Sequence, residues 1–327
     1  MGEMQLHQSD SDLLNETFLL AQRELLIPEH GIWVETPRPE QAPAAADLYR
    51  QAYARSDFFA GRYTDPDNQI FNPEWLANDF EQNPDHKWFA FTGDTGQLIG
   101  MTGWFHDQSI DGRPEMTSDE TQIAPRGRGR RIMDHFFRQV VPRIEAVGGL
   151  LATSFVLTPE TKGLRRTLET ELGMLSLGIL PHVLKHPKSG VTRSEIVSAK
   201  FDSFQRQPVA LLANFEPLYR ISKSQIPELP EPEVLPAERS VASTQAENFE
   251  ESSFPASGSD PEQQRELLQA GFKPVAYHPR LNSFVMAKFP RPMPKLDFLL
   301  NNESIKANKD LVRYLKEELY NGDERRP

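Results

Sequence analysis

Cysteine is absent from the 327-residue chain. Disulfide bridges, zinc–thiolate sites and catalysis by a thiol nucleophile are therefore excluded. The absence suits a reducing compartment, and we expect a cytoplasmic protein that uses no metal.

Long apolar runs are also missing. No stretch approaches the roughly 18 apolar residues that a membrane-spanning helix needs. The first residues, MGEMQLHQSDSDLL, lack the charged and then apolar segments of a signal peptide. We therefore expect no membrane partner.

Positive charge is scarce overall but locally dense. The chain has 36 Lys and Arg against 47 Asp and Glu, a net charge of −11. A broad electrostatic surface for nucleic acid is not favoured by this balance. Any anion site must therefore be local, and the densest positive charge is the sequence RGRGRR at residues 126–131.

Hydrophobic periodicity and turn signals give an order of elements. An amphipathic helix is predicted over residues 11–26, as an addition before the main fold. From residue 31 the predicted order is β α α β β β α β α β β. These elements fall at residues 31–36, 39–56, 71–83, 87–107 (a hairpin), 114–125, 132–149, 150–157, 159–174, 175–184 and 194–201.

The C-terminal third contains an imperfect sequence repeat of the preceding part. Residues 154–201 and residues 253–289 share a Ser-Phe pair, a Pro-Glu pair opening a helix, a glycine after that helix, and an Ala-Lys-Phe ending. This pattern predicts a repeated β-α-β-β unit, although chance recurrence of short patterns stays open. The segment between the copies is rich in Pro, Ser and Glu and is interpreted as a linker or crossing segment.

The order of elements resembles the GNAT (GCN5-related N-acetyltransferase) fold over about residues 31–201. The strongest pieces are KWFAFTGDTGQLIGMTGWF at 87–105 and TQIAPRGRGRRIMDHFF at 121–137. The resemblance implies an α+β fold in α/β/α layers, with a mixed, mostly antiparallel sheet flanked by helices and a C-terminal partial repeat. The expected organisation is a helical extension at 1–30, a GNAT-like domain at 31–205, a linker at 206–252, a partial repeat at 253–291 and a helical tail at 292–327.

The resemblance gives the basic turn the role of binding the pyrophosphate of acetyl-CoA or another acyl-CoA, which is a substrate here. The free N–H groups and the positive dipole end of the following helix would face this anion. The residues assigned to acyl-CoA are Ile123, Arg126, Gly127, Arg128, Gly129, Arg130 and Arg131.

The basic turn departs from the family pattern, Arg/Gln-x-x-Gly-x-Gly/Ala, in both registers that can be drawn. Started at Arg126, the pattern places Gly129 correctly but puts Arg131 at the last small residue. Started at Arg128, it fits the apolar helix face better but puts Arg131 and Met133 at both small positions. The arginines either bind phosphate themselves, as planar cations with several donors, or fill the space of the pyrophosphate.

The family commonly uses a carboxylate on its fourth strand as the general base. Glu120 is the first candidate here, followed by Asp119 and Glu115. A Tyr that protonates the leaving thiolate in many members has no counterpart at residues 158–174. His106, Tyr277 and His278 are substitutes if the partial repeat packs against the site.

The acceptor site of the family is shaped by its first two helices and their loop. In this chain that loop offers Phe58, Phe59 and Tyr63 as an apolar wall. Asp57, Asp65 and Asp67 would attract a cationic amine. An ordinary loop between helices is the alternative interpretation.

The function that the resemblance implies is N-acyl transfer from acyl-CoA to a small-molecule or peptide amine, through a ternary complex. A catalytically inactive GNAT-like binding or scaffold protein is one alternative. A transferase with another donor, an aminoacyl-tRNA or an acyl-carrier protein, is the other. A homodimer stays open.

Overall fold

The computed structural model describes twelve stretches of the chain and divides it into two compact units, Met1–Thr153 and Ser154–Pro327. The described residues are 23–54, 69–83, 86–110, 113–146, 150–156, 162–185, 192–200, 207–238, 250–251, 256–288, 296–297 and 306–320.

The first unit is built on a sheet whose strands follow one another in chain order. The strands are β1 (Glu24–Ile27), β2 (Ile32–Glu35), β3 (His86–Thr92), β4 (Leu98–Ile110), β5 (Arg113–Ile123) and β6 (Leu150–Val156), of which the first four residues belong to this unit. Neighbours from β1 to β5 pair antiparallel. The pairing of β5 with β6 is parallel.

Helices cover both faces of this sheet. Helices α1 (Ala42–Ala54) and α2 (Pro73–Gln82) lie on one face, where they share a buried cluster with Trp88 and Met101. Helix α3 (Ile132–Ala146) lies on the other, where the Phe136 ring packs 5.0 Å from the Phe89 ring. Because side chains alternate along a strand, Trp88 and Phe89 face opposite helical layers.

The predicted helix over residues 11–26 is wrong at its C-terminal end, because residues 24–27 form β1. Arg23 lies over the Trp33 ring at 4.5 Å and donates to Gly93 O at 3.1 Å. Glu24 accepts from Arg143 of α3 at 2.8 Å. These tertiary contacts favour the strand over the local helical periodicity. Residues 1–22 lie outside the described part of the chain.

In the second unit, neighbouring strands run in the order β8, β7, β13, β14, with two short strands on β14. Its strands are β7 (Leu175–Lys185), β8 (Thr192–Lys200), β9 (Ala210–Leu212), β10 (Glu233–Leu235), β11 (Glu250–Glu251), β12 (Ala256–Ser257), β13 (Lys273–His278), β14 (Ser283–Lys288) and β15 (Leu296–Asp297). Its helices are α4 (Lys162–Arg166), α5 (Glu216–Gln225), α6 (Pro261–Gln269) and α7 (Lys306–Tyr314). Helix α4 continues as a π-helical turn, Thr167–Glu171, and α7 continues as Leu315–Tyr320.

The segment interpreted as a linker, residues 206–252, contains regular structure. Helix α5 buries Leu218 and Tyr219, and β9 pairs in parallel with β10. The Tyr219 hydroxyl donates to Pro230 O at 2.7 Å. The Gln225 side chain bonds the backbone of Ser176 in β7, accepting from its N at 2.9 Å and donating to its O at 2.7 Å, so the segment is not a bare linker.

The predicted partial repeat forms the expected helix and two strands, α6, β13 and β14. Strand β13 pairs with β7 through Ala276 and Gly178, inside the second unit. That this segment is a second copy of a GNAT half stays a prediction, as do the domain boundaries.

The fold class predicted from the sequence is confirmed. The described pairs are mostly antiparallel, helices flank the sheets, and the order from β2 to β8 is the predicted order β α α β β β α β α β β. Within the described residues, no helix is both long and apolar enough to span a membrane.

Candidate functional site

The basic turn joins the end of β5 to the start of α3 with little free space beneath it. Ala124 N donates to Ile99 O at 2.9 Å, and Pro125–Gly127 form a single 3-10 turn. Gly127 is buried, and a Cβ there would lie 3.0 Å from Ile123 Cγ2 and 3.1 Å from Ile132 Cδ1. A larger residue at 127 would therefore push the turn away from the strand and the helix.

Two residues of the turn adopt the left-handed backbone conformation, Gly129 with φ of 78° and Arg131 with φ of 54°. Glycine reaches this region freely, whereas for arginine it costs about 1 kcal/mol. These two residues are the ones that the register started at Arg126 assigns to the small positions of the family pattern. The backbone therefore keeps a glycine-like geometry at 131 although the side chain there is large.

Helix α3 begins with backbone donors that its own turns leave unused. The first intrahelical bond runs from His135 N to Arg131 O, at 3.1 Å. The N–H groups of Ile132, Met133 and Asp134 precede that bond, as in any helical first turn. They add to the positive end of the helix dipole and point toward the turn.

The four arginines of the turn differ in what they contact. Arg126 donates to Leu98 O and, at 3.4 Å, to Gln97 Oε1. Arg131 Nε lies 2.5 Å from Asp134 Oδ2. Both side chains are therefore committed to acceptors of the protein itself.

Arg128 and Arg130 are less constrained. Arg128 Nε makes one long contact, 3.4 Å to Ile123 O, and its side chain is exposed. Arg130 is exposed and forms no hydrogen bond or ion pair with the residues that the structure describes. These two guanidinium groups are the ones that can turn toward an anion.

Strand β5 carries the predicted carboxylates and contains a β-bulge. Met101 is in register with Gln122 and Gly103 with Asp119, so Glu120 and Thr121 together oppose Thr102. The hydroxyls of Thr102 and Thr121 lie 2.6 Å apart. Bulges redirect side chains and are common beside active sites. Glu120, the first candidate base, therefore lies at an irregular point of the strand.

The bulge also lies beyond the part of β5 that pairs with β6. That pairing covers Glu115–Ser118 against Leu150–Thr153, and β5 continues to Ile123. Glu115 lies at the paired end, whereas Asp119 and Glu120 follow it. The side chains of these three carboxylates lie outside the described residues, so their catalytic role stays a prediction.

A buried polar cluster between α2 and β3 was missed from the sequence. Asp79 is 5% exposed and receives three side-chain donors. Asn83 Nδ2 donates to Oδ1 at 2.8 Å, Trp88 Nε1 donates to Oδ2 at 2.6 Å, and His86 Nδ1 lies 2.8 Å from Oδ2. The available signal was an aspartate on the apolar face of α2, three residues after Leu76.

The remaining predicted residues lie outside this region or outside the described chain. Phe58, Phe59 and Tyr63 and the three nearby aspartates fall in residues 55–68, which the structure does not describe. The side chain of His106 is also undescribed. Tyr277 belongs to β13, where it is buried and donates to Asn282 Oδ1 at 3.0 Å. His278 Nδ1 accepts from Leu281 N at 3.2 Å.

Burial, with a smaller effect of Tyr219, raises the pKa of Tyr277 well above its ordinary range. The neutral hydroxyl therefore stabilises the turn between β13 and β14 through its hydrogen bond to Asn282. In the part of the chain that the structure describes, no three His, Asp or Glu side chains converge as metal ligands would.

No protein-family model and no curated protein matches the chain. Similar solved structures include a ribosomal-protein-S5-alanine acetyltransferase from Vibrio fischeri, with 12% identity, a TM-score of 0.41, and coverage of 53% of this chain and 94% of that one. A GCN5-related N-acetyltransferase from Kribbella flavida shows 19% identity, a TM-score of 0.41 and coverages of 53% and 99%. A putative acetyltransferase from Salmonella typhimurium, solved with acetyl-CoA, shows 14% identity, a TM-score of 0.40 and coverages of 54% and 98%.

Proposed function

We propose that this chain is an acyl-CoA-dependent N-acyltransferase that acetylates an amine of a small molecule or peptide within a ternary complex. One observation carries the proposal. The turn from Ile123 to Ile132 combines unused backbone donors, a left-handed glycine and two exposed arginines at the start of a long helix. This is the chemistry that a diphosphate requires.

Each part of the turn has a distinct task in this proposal. The N–H groups at the start of α3 bind the pyrophosphate oxygens, and Gly129 lets them approach the backbone. Arg128 and Arg130 supply the positive charge from the solvent side. Arg126 does not bind the anion but fixes the turn to Leu98 of β4.

The transfer itself makes a C–N bond and breaks the C–S bond of the thioester. The acceptor reaches the site as an ammonium ion and must lose a proton before it attacks. Glu120, at the bulge, takes that proton, with Asp119 and Glu115 as the other candidates. Phe58, Phe59 and Tyr63 remain the proposed wall of the acceptor site.

An inactive binding or scaffold protein is the second candidate, and one contact favours it. Asp134 is a buried carboxylate in the first turn of α3, paired with Arg131. It places a negative charge at the helix end where a pyrophosphate would bind. If this internal pair has replaced the ligand, the turn is a structural remnant.

Calorimetric titration with acetyl-CoA and with CoA separates the two candidates. We expect micromolar binding by the wild type and a loss of at least tenfold in the Arg128→Ala/Arg130→Ala variant, since each charge-assisted hydrogen bond contributes about 1.5–3 kcal/mol. Arg38→Ala/Arg166→Ala removes two other exposed arginines and should leave the affinity unchanged. No binding at millimolar ligand would support the scaffold and the alternative-donor hypotheses instead.

A further inference from the structure

Asp134 is a buried carboxylate in the first turn of α3, at the helix end to which the proposed function assigns the pyrophosphate. Its side chain is 8% exposed. The other buried residues of α3 are all apolar. A carboxylate loses hydration at such a position, so it needs partners that offset this loss.

The start of the helix is the first of these partners. The N–H groups of Ile132, Met133 and Asp134 precede the first intrahelical bond, which runs from His135 N to Arg131 O. These groups form the positive end of the helix dipole, which stabilises an acidic residue in the first turn. Asp134 therefore supplies from within the protein the negative charge that a bound anion would otherwise bring.

Arg131 is the second partner. Its Nε lies 2.5 Å from Asp134 Oδ2, and its side chain is 59% exposed, so the carboxylate of the pair is inside and the cation outside. Arg131 takes this position with φ of 54°, a left-handed conformation that arginine adopts only at a cost. Removing Arg131 or Asp134 would change the charge of the turn by one unit, in opposite directions.

Other ion pairs at the same spacing along the chain are more exposed. Asp47 with Arg50, and Glu262 with Arg265, keep their carboxylates mostly in water. Water screens such charges, so they have little effect on their surroundings. The carboxylate of Asp134 is shielded from water, and its charge therefore acts more strongly on an anion at the basic turn.

We propose that Asp134 is an internal competitor of the acyl-CoA pyrophosphate and that Arg131 balances its charge. The inference rests on the proposed transferase function and adds the regulation of its phosphate site. In the free protein Asp134 occupies the positive end of α3, so acyl-CoA binds less tightly than the donors of the turn alone would allow. The same repulsion speeds release of the product CoA, which carries the same pyrophosphate.

The first test removes the charge and keeps the shape of the side chain. Calorimetric titration of Asp134→Asn with CoA should give a Kd about 3- to 30-fold lower than that of the wild type, the range for one charge at a partly buried helix end. Pantetheine lacks the pyrophosphate and should bind both proteins alike. If Asp134→Asn does not fold, Asp134→Ser replaces it. An unchanged or higher Kd for CoA, or an equal gain with pantetheine, would overturn the inference.

Asp310→Asn is the matched control. Asp310 forms a pair with Arg313 at the same three-residue spacing in α7, and the two side chains are 17% and 61% exposed. The carboxylate is again the inner member of the pair, but it lies in the last turns of its helix and not in the basic turn. We expect this variant to bind CoA as the wild type does.

The second test removes the balancing cation. Arg131→Met leaves the charge of Asp134 uncompensated, so the Kd for CoA should rise at least about tenfold. The double variant Arg131→Met/Asp134→Asn should return to within about threefold of the wild type, because the two effects are coupled through one contact. A pair that only stabilises the helix would lower the melting temperature in both single variants without moving the two affinities in opposite directions.

Failure of this inference is distinguishable from failure of the transferase. If neither the wild type nor Asp134→Asn binds CoA, both proposals are overturned. If the wild type binds CoA and Asp134→Asn binds it equally well, only the role of Asp134 is overturned. Binding by Asp134→Asn alone would support the internal competition and count against acyl-CoA as the donor of the wild type.

Discussion

Two buried carboxylates, Asp79 in the first unit and Glu169 in the second, have pKa values that are shifted in opposite directions. Burial opposes ionisation of Asp79 in the first unit, but three neutral or weakly basic donors outweigh it and hold the pKa below the ordinary value. Glu169 in the second unit accepts from Asn308 Nδ2 at 2.6 Å and lies 3.7 Å from Arg165 Nε. Burial nevertheless raises the pKa of Glu169, against the effect of those partners.

The contrast shows that a nearby cation does not by itself offset the effect of burial on the pKa of a carboxyl group. Burial also lowers the pKa of Arg165, so both members of the pair lose favourable hydration. Donors aimed at Asp79 replace water more completely, because all of them are short hydrogen bonds. Asp79 is therefore fit to orient another group, whereas Glu169 holds the π-helical turn after α4 against α7 of the same unit.

The largest expected effect comes from breaking the ion pair. Arg165→Met leaves Glu169 buried without its cation, and we expect a loss of about 3–5 kcal/mol in unfolding free energy at pH 7. Because the folded-state pKa of Glu169 is raised, protonation of this carboxyl stabilises the folded state below about pH 4.5, and this contribution is lost as pH rises. The defect in Arg165→Met should therefore shrink from pH 7 to pH 5.

Urea unfolding at the two pH values measures this effect. Arg166→Met, at the exposed neighbouring arginine, should stay within about 0.5 kcal/mol of the wild type. An equal loss at both pH values would show that Glu169 stays ionised without Arg165.

Asp79→Asn should have a smaller effect with the opposite pH dependence. We expect the unfolding free energy to fall by about 2 kcal/mol, because one of the donors to Asp79 would face the amide N–H₂ of the asparagine instead of an acceptor. A depressed folded-state pKa contributes stability above about 3.8 that is lost as pH falls through the folded value. The difference from the wild type should be constant between pH 7 and pH 5, in contrast to Arg165→Met, and a difference that shrinks there would contradict the assignment.

Trp88→Phe tests one donor of the cluster and should have the smallest effect. The ring stays buried, but Asp79 Oδ2 loses its hydrogen bond from the indole N–H at 2.6 Å. We therefore expect the unfolding free energy to fall by about 1 kcal/mol. Trp33→Phe is the control, since its indole N–H reaches Asp94 in an exposed contact. If both variants lose the same unfolding free energy, the buried hydrogen bond from Trp88 to Asp79 contributes no more than the exposed one from Trp33 to Asp94.

The sequence predicted the fold where local pattern and tertiary structure agree. The apolar face of α3, with Phe136, Phe137 and Val140, and the two strands flanking the turn at 93–97 were predicted because their periods match their burial. The helix predicted over 11–26 failed at β1, where pairing with β2 and the contacts of Arg23 override the helical period. Helix α5 was missed although Pro217 lies in its first turn, since the surrounding Pro and Glu content indicated a linker.

Only the part of the candidate site that depends on local sequence could be predicted. The basic turn is contiguous in the chain, so RGRGRR could be chosen as a candidate anion site from its residues alone. Which of its arginines are already engaged depends on Leu98, Gln97 and Asp134, and that was not visible in the sequence. The bulge at Glu120 is a property of register between two strands, which no single-strand pattern shows.

The sequence by itself determined the chemical limits of this protein: it excluded thiol chemistry, confined any anion site to a local basic turn, and gave an order of strands and helices that resembles one superfamily. The tertiary structure alone decided which side chains act together. Asp79 and His86 meet because α2 packs on β3, and a Cβ at Gly103 of the neighbouring strand would lie 2.6 Å from His86 Nε2. Such contacts depend on pairing and packing over distance, whereas composition and periodicity report only on each segment of the chain.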